Sequence, residues 1–177
     1  EQLHKVRENA DFLFDKLRPV HKLKQEWKPY LSAAALLHDV GETISHAHHA
    51  EHSEYMIKNA NFVGMQQWEA QLIASIVRFH KEEKLLERKN EKQLPSAPTP
   101  AHRTVFLRLV ALLQIADAFD RTHKAPLKLT KAKISRGRVD IRFKSKGPCD
   151  LELLRLEQKK VLFETIFNRE ISAAKAR

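Results

Sequence analysis

Leu3, Val6, Ala10, Leu13, Phe14 and Leu17 recur three and four positions apart, with polar residues between them and Pro19 following. That period places one apolar stripe on an amphipathic helix over 2–17, stopped before the proline. Pro29 suits the first turn of a second helix over 29–39, whose apolar run Leu31 to Leu37 ends near Gly41. A polar connection with His46, His48 and His49 leads to a third helix over 51–60, with Tyr55 and Met56 or Ile57 facing inward. Trp68, Leu72, Ile73, Ile76 and Val77 give the apolar face of a fourth over 66–80. The stretch 81–101 begins as a charged run and ends in Pro95, Pro98 and Pro100, which mark a loop. Val105, Phe106, Leu109, Leu112, Leu113 and Ala116 define a fifth helix over 103–120.

After Pro126 the helical period gives way to alternation. Leu127 and Leu129 alternate with lysines, and Val139, Ile141 and Phe143 alternate with Asp140, Arg142 and Lys144. The break at Ser135-Arg136-Gly137 predicts a hairpin. Asp150 caps a last helix over 151–167, carrying Leu151, Leu154, Val161, Leu162, Ile166 and Phe167, and a short strand near Ile171 closes the unit. The predicted fold class is mainly α: a helical domain over 1–124, then a small α+β unit over 125–177, β-β-α or β-β-α-β.

Composition narrows the function classes. The chain has 177 residues, which is room for one domain or one with an appendage. No apolar run reaches the roughly 18 residues of a membrane span. One cysteine, Cys149, excludes an intramolecular disulfide and suits the cytoplasm. The absence of an initiator methionine suggests a piece of a longer protein. A formal charge of +10 favours polyanionic partners. Nine basic residues against Asp140 alone lie between Lys124 and Lys146, readable equally as a solvated face or as a polyanion contact.

The chemistry centres on His38-Asp39, at the end of an apolar helix. A buried carboxylate needs a partner, and a bound cation is a strong one. Two residues do not make a site; a catalytic metal needs three or more protein ligands and an open position. Further candidate ligands are His4, His52, His80 and Asp117, each near an end of a different predicted helix or in its apolar face. His46, His48 and His49 read as polar loop residues, and His21, His102 and His123 as surface residues.

The order His…His-Asp…Asp on successive helices resembles the HD-domain phosphohydrolases. Leu37-His38-Asp39-Val40-Gly41, the stretch His46 to His52 with Ser53 and Tyr55, Val77-Arg78-Phe79-His80-Lys81 and Ile115 to His123 look more specifically like the C-terminal region of the exopolyphosphatase and guanosine-pentaphosphate phosphatase family. The β-β-α tail looks like the end of the same proteins, so the resemblance covers nearly the whole chain. It implies that polyphosphate hydrolysis belongs to N-terminal actin-like domains with glycine-rich phosphate loops. This chain, with four glycines, has no such loop. The resemblance further implies a region that extends a polyanion channel and assists homodimer contacts, and whose own turnover is weak or absent.

On that reading one divalent metal (Mg, Mn, Fe or Zn) takes His4, His38, Asp39 and Asp117. A second takes His52 and His80, with Asp39 bridging. His38 and Asp39 are the catalytic pair, activating a metal-bound water toward a phosphoanhydride. Arg78, Lys81, Arg121, Arg136 and Arg138 are the candidate contacts to polyphosphate or a nucleotide. Competing readings are a stand-alone HD nucleotide phosphohydrolase and a non-catalytic module for nucleic-acid binding or dimerisation. The nucleic-acid reading has charge in its favour but no helix-turn-helix, zinc-finger or RNA-recognition motif.

Overall fold

The computed structural model describes residues 2–86, 100–120 and 127–176. Helix α1 (Gln2–Lys16) and the single turn α2 (Arg18–His21) are followed by a 3₁₀ turn and α3 (Lys28–Leu37). A second 3₁₀ turn (Val40–Thr43) leads into α4 (His49–Asn59), then α5 (Gln67–Phe79) and α6 (Pro100–Ala118). The small unit comprises β1 (Lys128–Ser135), β2 (Arg138–Lys144), α7 (Asp150–Lys159), α8 (Val161–Phe167) and β3 (Glu170–Lys175). The mainly α class with a small α+β end is the observed architecture. Of the loop expected over 81–101, residues 100–101 open α6 and residues 87–99 fall outside the described residues, as do the domain boundary near 124, Arg121 and His123.

The expected helices form because their stripes find one another. Val6, Ala10, Leu13, Phe14 and Leu17 of α1 and its C-terminal end meet Leu31, Ala34 and Ala35 of α3 and Leu109 to Ala116 of α6 in one continuous core. Helix α5 begins with a reciprocal cap. The Gln66 N–H donates to Glu69 Oε2 at 2.7 Å while the Gln66 side chain accepts from the Glu69 backbone. Tyr30 O–H donates to the other oxygen of Glu69 at 2.6 Å, which ties α3 to α5. Together these contacts join the N-terminal ends of both helices, and the candidate ligands stand at the opposite, C-terminal ends.

The sheet order is β1-β2-β3, with β1 antiparallel and β3 parallel to β2. Leu129 opposes Phe143, and Val139 opposes both Ile134 and Ile171, so the inward positions share one face. A parallel β3 requires a crossover, and α7 and α8 supply it. Val139, Ile141, Phe143, Leu156, Phe163 and Ile171 belong to the same core as the helical part, with Phe119 packed against Phe143 at 6.4 Å between ring centroids.

Several expectations change. The last helix is two helices parted at Lys160, and its core-facing stripe runs through Glu152, Leu156 and Lys159 rather than Leu151 and Leu154, which are exposed. Tyr55 and Trp68 are exposed while Ile57 is buried. Trp68 sits in the first turn of α5 with its indole N–H donated to Gln66 Oε1. His21 is fully buried, not on the surface: its Nε2–H donates to the Phe14 carbonyl at 2.7 Å and Nδ1 accepts from the Leu23 N–H at 2.9 Å. Burial lowers its pKa, in keeping with that neutral, fully satisfied ring. Among the described residues no helix is long and apolar enough to cross a membrane.

Candidate metal centre

His38 closes α3 and Asp39 follows it, so the doublet stands where the helix gives out. His38 Nδ1 lies 2.8 Å from the carbonyl of Ala35, three residues back. A carbonyl only accepts, so Nδ1 carries the proton and Nε2 is the ring's ligating atom. His80, just past α5, repeats this: its Nδ1 is 2.5 Å from the Val77 carbonyl. His49, opening α4, repeats it again, with Nδ1 3.0 Å from the His46 carbonyl. Three backbone carbonyls at the same i−3 offset thus fix the tautomer and aim of three Nε2 atoms, as metal-ligating histidines commonly require.

The aimed atoms converge on Asp39. His38, Asp39 and His80 each present a ligand atom within 4.8 Å of the other two. Asp39 Oδ1 lies 3.2 Å from His49 Nε2 and 3.7 Å from His80 Nε2, and Asp39 Oδ2 lies 2.9 Å from His38 Nε2. These approaches are close but misaligned for hydrogen bonding: the three Nε2 atoms and Asp39 Oδ1 are buried without a hydrogen-bond partner. Lone pairs that face one another in a low dielectric repel unless a cation lies between them. The donor set therefore fits a divalent ion.

Titration follows the same geometry. Burial works to raise the Asp39 pKa, but the facing rings of His38 and His80 outweigh it and hold the carboxyl well below the usual range. Burial alone would lower His38; Asp39 and Asp117 overcome it, so in the absence of metal a proton is drawn to the same place. His80 is lowered to about 4, by burial first, with Lys159 adding to it and Asp39 opposing, so its Nε2 lone pair is free at neutral pH.

Asp117, in the last turn of α6, contributes Oδ1 at 3.6 Å from His38 Nε2. Its compensation comes from elsewhere. Lys159 of α7 is buried completely and donates to Asp117 Oδ2 at 2.7 Å and to the His80 carbonyl at 2.9 Å. Lys81 Nζ stands 3.9 Å from the same Oδ2. Burial tends to raise the Asp117 pKa, and the two ammonium groups outweigh it and keep the carboxylate ionised.

Of the candidates read from sequence, His38, Asp39, His80 and Asp117 come together. His4 is exposed on the first turn of α1, and His52 is half-buried on α4; neither enters a metal-capable group among the described residues. Position 49 takes the place expected of position 52. The reason lies in Gly41, whose N–H donates to Ser53 Oγ at 2.8 Å while Ser53 Oγ donates to the His38 carbonyl at 3.0 Å. That clasp turns the N-terminus of α4, with His49, toward the doublet. Exposed Glu42 and His46 join His49 in a second metal-capable group beside the first.

Arg78 is engaged with Glu51 at 3.2 Å and Glu54 at 3.6 Å and lies over the Phe79 ring. Lys81 remains beside the centre. Arg136 and Arg138 lie at the β1–β2 turn, Arg138 paired with Asp140 at 3.0 Å. Two residues that meet the doublet and Asp117 escaped the sequence reading. His49 carried no signal beyond its three-residue offset from His46. Lys159 lies three residues after Leu156, hence on the buried face of α7, and that offset was legible.

Residues 1–160 match the family model described as Ppx/GppA phosphatase, domain III. The guanosine-5'-triphosphate,3'-diphosphate pyrophosphatase of Aeromonas hydrophila is 30% identical over 114 residues, 64% of this chain and 23% of that protein. The protein of the same name from Aeromonas salmonicida is 30% identical over 88 residues, 49% of this chain and 18% of the relative. The chain thus spans under a quarter of the length of these relatives where it matches them. With the family model covering nine-tenths of its length, the chain belongs to the Ppx/GppA phosphatases and corresponds to their domain III.

Proposed function

We propose that this chain is the C-terminal HD-type domain of an exopolyphosphatase-like or guanosine-pentaphosphate-type hydrolase, and that it binds one divalent transition metal through His38, Asp39 and His80, with His49 at its edge. The observation that carries the reading is the convergence of three carbonyl-oriented Nε2 atoms on Asp39, all buried and without hydrogen-bond partners. Imidazole-rich donors favour Mn, Fe or Zn over Mg. A metal bound here supplies Lewis acidity and lowers the pKa of a coordinated water. The chain's own residues do the rest: the i−3 carbonyls hold the rings, Asp39 faces all three, and Lys81 offers a charged donor to a phosphate oxygen. Turnover of polyphosphate or nucleotide is assigned to the N-terminal actin-like domains that the resemblance implies.

Asp39→Ala tests the centre. Purified without added metal, the native chain retains close to one equivalent of transition metal by elemental analysis, and the variant retains under a tenth of that. Equal metal content in the two proteins sinks the assignment.

The polyanion face is assigned to the outer side of the β1–β2 hairpin. Its register sets Lys128 opposite Lys144 and Lys131 opposite Arg142, all exposed. Like charges directly opposite each other destabilise a sheet, so a bound polyanion relieves the pair. Binding of long-chain polyphosphate weakens about tenfold or more in Lys131→Glu/Arg142→Glu and falls steeply with added salt. Salt-independent binding, or unchanged binding by the variant, removes the hairpin from the contact surface.

A further inference from the structure

Lys159 is not a ligand in the metal reading above, yet among the described residues no other lysine or arginine is buried. Its side chain is fully buried, and its ammonium splits its bonds between Asp117 Oδ2 at 2.7 Å and the His80 carbonyl at 2.9 Å. Asp117 thereby faces two ways, Oδ1 toward His38 Nε2 at 3.6 Å and Oδ2 toward the lysine. An ammonium is a compact point charge with several donors, a fair replacement for a metal ion against one carboxylate oxygen. A metal on that oxygen would sit roughly 2.0–2.2 Å away, within the space of the lysine's own contact and against its charge.

We infer that Lys159 is a tethered cation occupying the metal position at Asp117, so that the native centre takes a single ion and the docking of α7 sets that limit. The inference rests on the metal reading of His38, Asp39 and His80 and adds a specificity element delivered by the small α+β unit. Two charges compensate Asp117 from the protein itself, Lys159 and, at 3.9 Å, Lys81, whereas Asp39 has no lysine or arginine among its described ion-pair partners. The protein thus supplies the cation at one carboxylate and leaves the other to a metal.

The test is Mn²⁺ binding to metal-stripped native chain and to Lys159→Met, by calorimetry with elemental analysis. The native chain is expected to bind one equivalent. Lys159→Met is expected to bind a second, which Lys159→Met/Asp117→Asn loses again. Identical stoichiometry and Kd within twofold in the native chain and Lys159→Met overturn the inference, as does absence of binding in both. No binding by the native chain with one equivalent in Lys159→Met upholds the lysine's role while overturning the metal reading of the native centre. Should Lys159→Met fold poorly, Lys159→Gln is used beside it. Recovery of native circular dichroism on adding Mn²⁺ then supports the inference, and no recovery in either variant overturns it.

Discussion

Gly41→Ala is expected to lower stability by about 3 kcal/mol, a fall of about 1 M or more in the urea midpoint. A Cβ at this position would lie 2.2 Å from the His49 carbonyl oxygen and 2.4 Å from the Ser53 nitrogen. Both are backbone atoms, which no rotamer change can move, so α4 must retreat from the doublet. The Gly41 N–H to Ser53 hydrogen bond goes with it, and so does the aim of His49. Gly64→Ala is the control: its φ is +82°, with nothing within 4 Å of a new Cβ, so only the left-handed backbone penalty applies, about 1 kcal/mol. If Gly41→Ala costs no more than Gly64→Ala, the close approach of α4 is not what places His49.

Asp117→Ala is expected to cost about 3–5 kcal/mol at neutral pH, because it strands a buried ammonium. Lys159 would keep only the His80 carbonyl. Asp117→Ala/Lys159→Met, which strands no charge, is expected to be the more stable of the two variants. The pH dependence has a definite sign. Burial lowers the Lys159 pKa from 10.5 to about 8, with Asp117 working to raise it. A lysine whose folded value lies below its unfolded one binds fewer protons in the folded state between the two, so stability rises with pH across that interval. In Asp117→Ala the supporting carboxylate is gone and the interval opens at lower pH. The deficit against the native chain therefore narrows between pH 7 and pH 9. Urea midpoints at the two pH values check this; a deficit that widens or stays constant contradicts a buried, charged Lys159.

Much of the helical part was legible because each helix has an apolar stripe that only one period satisfies. The hairpin was legible for the same reason, with Val139, Ile141 and Phe143 alternating against charge. The doublet was legible because His38 and Asp39 are unusual at the end of an apolar run. Asp117 was legible as a group needing compensation, but the nature of that compensation was not. Sequence spacing describes one element at a time, and the cation that meets Asp117 comes from a helix 42 positions away.

The same limit accounts for His49 and His52. The helix expected over 51–60 opens with His52 and leaves His49 in the connection, whereas the observed α4 begins at His49. Which of the two meets Asp39 depends on how closely α4 approaches Gly41, a backbone contact that no side-chain pattern encodes. His21 was misplaced for a related reason: its two ring nitrogens are satisfied by backbone groups of Phe14 and Leu23, a solution invisible until the turn after α1 closes. From sequence alone came the elements, their order and the residue that marks the centre. Tertiary structure decided which histidines face Asp39 and brought Lys159 to Asp117. Local periodicity follows from the chain's own backbone geometry, whereas a buried charge takes whichever partner the packing of distant helices brings within reach.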